Sequence, residues 1–168
     1  MKTIYLTGFM GAGKTTVGKR LAEKTGLDVI DTDEVIMKKT ACTIEEIFQT
    51  KGENHFRALE SEVLFSLPTE NVIITTGGGM VLKDENRAFM KKNGIVIFLY
   101  CSPENIFERL QDDDSRPLLK GDRKKEIKNR LEARMDKYRE ADYIIDTNDQ
   151  TVEETVDTII ELTGIKIR

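Results

Sequence analysis

Cysteine, histidine and long apolar runs are all scarce in this chain. Two cysteines, Cys42 and Cys101, and one histidine, His55, stand far apart in 168 residues. They are too few for a disulfide framework or a Cys/His metal cluster. Both cysteines are expected to be small buried hydrophobes in a reducing cytoplasm. His55, Tyr138 and the methionines are read as structural. No apolar run approaches the roughly 20 residues that span a bilayer, and a β-rich segment starts almost at Met1, leaving no room for a signal peptide. Positive charge is not in excess either. Twenty-six Lys and Arg face 30 Asp and Glu, a net charge of −4, which gives no general attraction to nucleic acid or membrane. An anionic substrate must then be held by local cations. Internal repeats, low-complexity segments and a dividing linker are also missing. With 39% hydrophobic and 33% charged residues, residues 1–168 read as one globular domain, expected to be a monomer.

What is present begins at the N-terminus. Ile4 to Thr16 reads I-Y-L-T-G-F-M-G-A-G-K-T-T, in which Gly8, Gly13, Lys14 and Thr15 fit the phosphate-loop spacing G-x-x-x-x-G-K-[ST]. Glycines let successive N–H groups point inward as an anion nest. A helix starting near Lys14 adds its positive dipole end. The Lys14 ammonium is placed to reach the β- and γ-phosphates, and the Thr15 hydroxyl to ligate Mg²⁺. The β-rich Thr3 to Thr7 before the loop, and the helical spacing of Val17, Leu21 and Ala22 after it, supply the strand and helix this motif needs.

Downstream, strand and helix patterns alternate. Strands are expected at 28–31, 72–76, 95–100 and 143–146. Helices are expected at about 34–39, from the Thr43-to-Glu46 capping box, at 53–67 with Phe56, Leu59, Val63 and Leu64 as its stripe, from a cap at Asp84 to a stop at Asn93-Gly94, from Ser102-Pro103 to Leu110, at 122–139, and from the Thr151-to-Glu154 capping box to Gly164. The polar stretch 111–121 reads as a lid loop. Such alternation means a parallel α/β sheet, whose ligands bind beyond the C-terminal strand ends. Gly8, Asp31, Asp33, Gly77 and Cys101 all fall there. Asp31 and Asp33, two apart, are expected to point to one face of a strand end. A guanine-reading N-K-x-D is lacking, since Asp146-Thr-Asn-Asp149 has no lysine; that argues against a GTPase. Small size with a lid suits a kinase acting on a small acceptor.

The motifs D-T-D (Asp31 to Asp33), E-I-F…G-E-x-x-F-R-x-x-E (Glu46 to Glu60), G-G-G (Gly77 to Gly79), R-P-L-L (Arg116 to Leu119) and R-x-x-x-Y (Arg134 to Tyr138) occur in the order and at the spacing of shikimate kinase, and nearly the whole chain resembles that family. The resemblance implies a three-layer, nucleoside-monophosphate-kinase-like fold with a five-stranded parallel sheet in the order 2-3-1-4-5. It also implies ATP- and Mg²⁺-dependent phosphorylation of the shikimate 3-hydroxyl in the cytoplasm, on the route to aromatic amino acids. By resemblance, Gly11, Ala12, Gly13, Lys14, Thr15, Thr16, Arg109, Arg116 and Gln150 bind ATP. Asp33, Arg57, Gly77, Gly78, Gly79 and Arg134 bind shikimate, within a substrate segment of about 31–60 and beyond it. Thr15 and Asp31 serve the metal, and Lys14, Asp33 and Arg116 are catalytic. By the same resemblance Asp33 orients or deprotonates the hydroxyl, Arg57 and Arg134 clamp the carboxylate, and Arg116 closes over the transferring phosphoryl group; Glu60, one turn on from Arg57, is expected to orient it. Aspartates capping the next helix are the alternative reading for Asp31. Two departures stand out: Asp149-Gln150 where an arginine sometimes contacts adenine, and Ala41 where glycine is frequent. A side chain at Gly78 is expected to block the pocket. A gluconate or nucleotide kinase of the same fold, or a non-catalytic nucleotide-binding regulator, would not need this combination.

Overall fold

A computed structural model describes residues 1–111 and 122–168. Its centre is β1 (Thr3–Thr7), whose five residues are all buried. Because side chains alternate along a strand, Tyr5 packs into one apolar layer while Ile4 and Leu6 pack into the other. Both faces of the sheet are thus covered, as a parallel sheet requires. β1 pairs in parallel with β3 (Val72–Thr75) on one side and β4 (Gly94–Tyr100) on the other. The sheet is completed by β2 (Asp28–Asp31) beside β3 and β5 (Tyr143–Asp146) beside β4, giving the order β2-β3-β1-β4-β5. This is the expected topology.

Helix α1 (Lys14–Thr25) follows β1 and buries Val17 and Leu21 on the Ile4/Leu6 face. It packs beside the last helix, α8 (Val152–Thr163), with Arg20 bonded to Glu153 at 2.8 Å and Lys24 to Asp157 at 2.6 Å. On the β2 side, α2 (Thr32–Thr40), α3 (Ile44–Lys51) and α4 (Glu53–Ser66) share a small core of Ile36, Ile47, Phe56 and Val63. Burying each such side chain contributes about 1.5–3 kcal/mol. The Thr43 capping box is formed in both directions, Glu46 N to Thr43 Oγ1 at 3.1 Å and Thr43 N to Glu46 Oε2 at 2.8 Å. After β3, a 3₁₀ turn (Met80–Leu82) leads to α5 (Asp84–Asn93). Then α6 (Pro103–Leu110) starts at the Ser102 cap, and α7 (Arg123–Tyr138) at Asp122, whose carboxylate accepts from Lys125 N.

Two local expectations change. α2 begins at Thr32, two residues early, because the Asp31 carboxylate caps it, accepting from Asp33 N at 2.9 Å and Glu34 N at 3.2 Å. Asp33 therefore sits in the first turn of a helix rather than on a strand. Asp84 is not a cap but the first residue of α5, bonded to Arg87 at 2.7 Å. α5 stops at Asn93-Gly94 as expected, the Gly94 N–H donating to Met90 O, and Gly94 also opens β4 in extended conformation. A Cβ there would stand 2.3 Å from Thr3 O and 2.5 Å from the Tyr5 ring, so close strand approach is what requires glycine. Among the described residues no helix is long and apolar enough to cross a membrane.

Candidate active site

The loop Gly8–Gly13 joins β1 to α1 at the C-terminal edge of the sheet. Gly8, Gly11 and Gly13 all have positive φ, Gly13 at 93° in the left-handed region, which leaves the N-terminus of α1 without a side-chain cap and its N–H groups available to an anion. Lys14, buried, folds back to donate to Gly8 O at 2.7 Å and Phe9 O at 2.9 Å. A cavity of about 510 Å³ opens here, lined by Gly11 to Val17 and, on its far side, by Arg109, Thr147, Gln150 and Thr155. Arg109 reaches across to Gly11 O at 3.2 Å. Every described residue expected to hold ATP lines this cavity.

A second cavity, about 460 Å³, lies toward α2, α3 and α4 and is lined by Arg57, Glu60, Arg134, Phe48, Phe56 and Gly77 to Gly79 among others. The two share one wall: Met10, Thr15, Asp31, Asp33, Gly77 and Gly78. Asp31 Oδ2 accepts from Thr15 Oγ1 at 3.1 Å and from Thr75 Oγ1 at 2.8 Å. Asp31 thus both caps α2 and faces Thr15; the two readings of it are compatible. The oxygen-rich Thr15–Asp31 pair at the seam suits a hard cation such as Mg²⁺.

Arg57 and Glu60 form a buried ion pair, Nη1 to Oε1 at 2.6 Å, with side-chain exposures of 11% and 1%. This is no solvated helix pair. Glu53 adds a second contact at 3.1 Å, and the guanidinium stands 5.4 Å from the Phe56 ring centroid. Burial pushes the Glu60 carboxyl above the usual range, opposed by the Arg57 charge and reinforced by Asp33. Burial pulls Arg57 down, but Glu60 and Glu53 outweigh it and the net shift is upward. Among the described residues the buried Glu60 Oε2 has no hydrogen-bond partner. Arg134, 4% exposed, lies over the Phe9 ring at 5.5 Å.

The three glycines carry different loads. A Cβ at Gly79 would fall 2.1 Å from Arg57 Nη1, and one at Gly77 would fall 2.7 Å from Glu60 Oε2 and 2.9 Å from Asp33 Oδ1. At Gly78 the nearest atom is Met10 N at 3.1 Å. Steric demand on a Cβ is thus greatest at Gly79 and weakest at Gly78. Gly77 N also donates to Thr32 Oγ1 at 3.1 Å.

Comparison with known proteins identifies the family. The family model "Shikimate kinase" matches residues 10–163. The chain belongs to the shikimate kinase family. Shikimate kinases of Bacillus cereus (strain AH187) and of Caldicellulosiruptor saccharolyticus are 50% and 47% identical over 164 residues, covering 96% of this chain and 98% and 95% of theirs. The structure of the Acinetobacter baumannii shikimate kinase in complex with shikimate superposes with a TM-score of 0.93 at 39% identity, covering 98% of this chain and 93% of that one. The Aquifex aeolicus shikimate kinase gives 0.85 at 41% identity, covering 96% of each chain. The family and fold expected from the motifs hold.

Arg116 and the segment expected to form the lid lie outside the described residues, apart from Gln111. Cys101 does not reach either cavity; it is buried in the core behind the phosphate loop. Four residues of the site went unread in the sequence. Met10 lines both cavities, Thr75 and Thr32 fix Asp31 and Gly77, and Phe9 lies beneath Arg134. Only Phe9 and Met10 carried a signal, their place inside the phosphate loop. His55 is exposed, in keeping with a structural reading.

Proposed function

We propose that the two cavities sharing one wall hold the two substrates of this enzyme, ATP over Gly11 to Thr16 and shikimate between Asp33, Arg57, Gly77 to Gly79 and Arg134. The reaction is ATP-dependent phosphoryl transfer to the 3-hydroxyl of shikimate, giving shikimate 3-phosphate and ADP. The observation that carries the assignment is the shared wall: two pockets for donor and acceptor meet at Thr15, Asp31, Asp33 and Gly78.

In this reading the loop N–H groups and the α1 dipole hold the phosphates, and Lys14 leaves its carbonyls to meet them. Two buried guanidinium forks, Arg57 and Arg134, suit a planar carboxylate and fix the ring at its far end. Glu60 keeps Arg57 in place. Asp33 stands at the seam, where an acceptor hydroxyl must lie, and orients it or takes its proton. Thr15 and Asp31 would hold Mg²⁺, which neutralises phosphate charge when bound. Arg109 and Gln150 border the base end of the ATP cavity, and the family resemblance assigns Arg116 to the transferring phosphoryl group. The protein works as a monomeric single domain in the cytoplasm, where its two free cysteines stay reduced.

Asp33→Asn tests the arrangement. Turnover is expected to fall far more than ATP affinity measured by titration; equal losses in both would remove Asp33 from the acceptor side.

A further inference from the structure

Tyr138 belongs to the site rather than only to the core. Its ring lies flat on Phe98 of β4, centroids 4.7 Å apart and planes within 6°, and the residue is 1% exposed. Phenylalanine would fill that space equally well. The hydroxyl, however, leaves the apolar stack: it donates to Gly78 O at 2.5 Å and lies close enough to the Arg134 guanidinium, one helical turn earlier on α7, to feel its charge. A phenol is both donor and acceptor, so the oxygen that donates to Gly78 can also accept from the guanidinium beside it. Arg134 Nη1 stands 3.6 Å from where a Cβ of Gly78 would be, which places these groups on the same side of the shikimate cavity.

We propose that Tyr138 is a positioning residue for the shikimate subsite, its hydroxyl holding Arg134 and the Gly77–Gly79 backbone at one fixed separation. The inference rests on the reading of Arg134 as a carboxylate binder. The hydroxyl acts through Arg134 and Gly78 and touches no substrate itself. Burial, opposed by the Arg134 charge, pushes the phenol up to about 12, so it keeps its proton throughout the neutral range and the link persists.

Tyr138→Phe keeps the stacked ring and deletes only the link. In a coupled ADP-release assay its KM for shikimate is expected to rise about 5- to 30-fold, the range that loss of one buried hydrogen bond implies, with KM for ATP within about twofold. Placed in an Arg134→Ala background, the same change should leave the shikimate KM where Arg134→Ala set it. A lowered melting temperature with both KM values unchanged would make Tyr138 structural and overturn the proposal. So would additive effects in the double variant, which would put the hydroxyl's action elsewhere. Arg134→Ala without effect on shikimate KM would instead overturn the carboxylate reading beneath it.

Discussion

Gly79→Ala offers a sharp test of how the substrate pocket is built. Gly79 has φ −94° and ψ 3°, a region open to alanine, so the backbone need not change and the chain should fold. The new methyl, however, would sit 2.1 Å from Arg57 Nη1, 2.3 Å from Cζ and 2.6 Å from Nη2. Carbon and nitrogen prefer separations of about 3.5 Å. The guanidinium must therefore retreat by about 1 Å, and it has little room to do so, held by Glu60 at 2.6 Å and Glu53 at 3.1 Å. A misplacement of about 1 Å in a positioning group can cost about 100-fold in rate, or about 2.7 kcal/mol. The expected result is a fall of that order in kcat/KM for shikimate in a coupled ADP-release assay. KM for ATP should be unchanged, because Gly79 does not border the phosphate cavity. Thermal denaturation should find a folded protein. A kcat/KM within about threefold of the parent, in a folded protein, would mean that the Arg57 position is not what the glycine protects.

Three further outcomes follow from other parts of the fold. Arg57→Met leaves Glu60 buried without its cation and should cost about 3–5 kcal/mol at neutral pH. The Glu60 carboxyl, already above its ordinary value through burial, should rise further, so the variant's urea stability should fall as pH rises through that folded-state value and recover below the unfolded one; a deficit independent of pH would contradict this. Ala41 holds φ 55° at the C-terminus of α2, where a Cβ is unfavourable. Ala41→Gly should raise stability by up to about 1 kcal/mol in urea titration without changing turnover, and a loss of stability would refute it. Glu153 is held down to about 2 by Arg20 and then Lys24. Its contribution should be present at neutral pH, fade as pH falls through the carboxylate range toward 2, and be screened by salt. The melting difference between Glu153→Gln and the parent should thus shrink in about 1 M NaCl; persistence there would exclude an exposed electrostatic origin.

The sequence determined the most where the signal is local. Phosphate-loop spacing, the two capping boxes, the Ser102-Pro103 cap and the alternation of strands with helices depend on neighbours a few residues apart, and each formed as expected. The motif string added the family. Tertiary structure decided whatever depends on burial and on atoms brought from afar. Arg57 and Glu60 are three apart on a helix, and Phe56 beside Arg57 already points to the edge of the core; the close approach of Gly77 to Gly79 to both side chains is seen only in the fold. Gly94 reads as a helix stop and is one, but that Tyr5 and Thr3 leave no room for a Cβ there is seen only in the fold. The meeting of the Tyr138 hydroxyl with Gly78, 60 residues away, could not be read from spacing, because hydrogen-bond partners across a fold leave no periodic trace. Sequence therefore settled which chemistry the chain carries. Packing settled which charges are removed from water, and so which of them can hold a substrate.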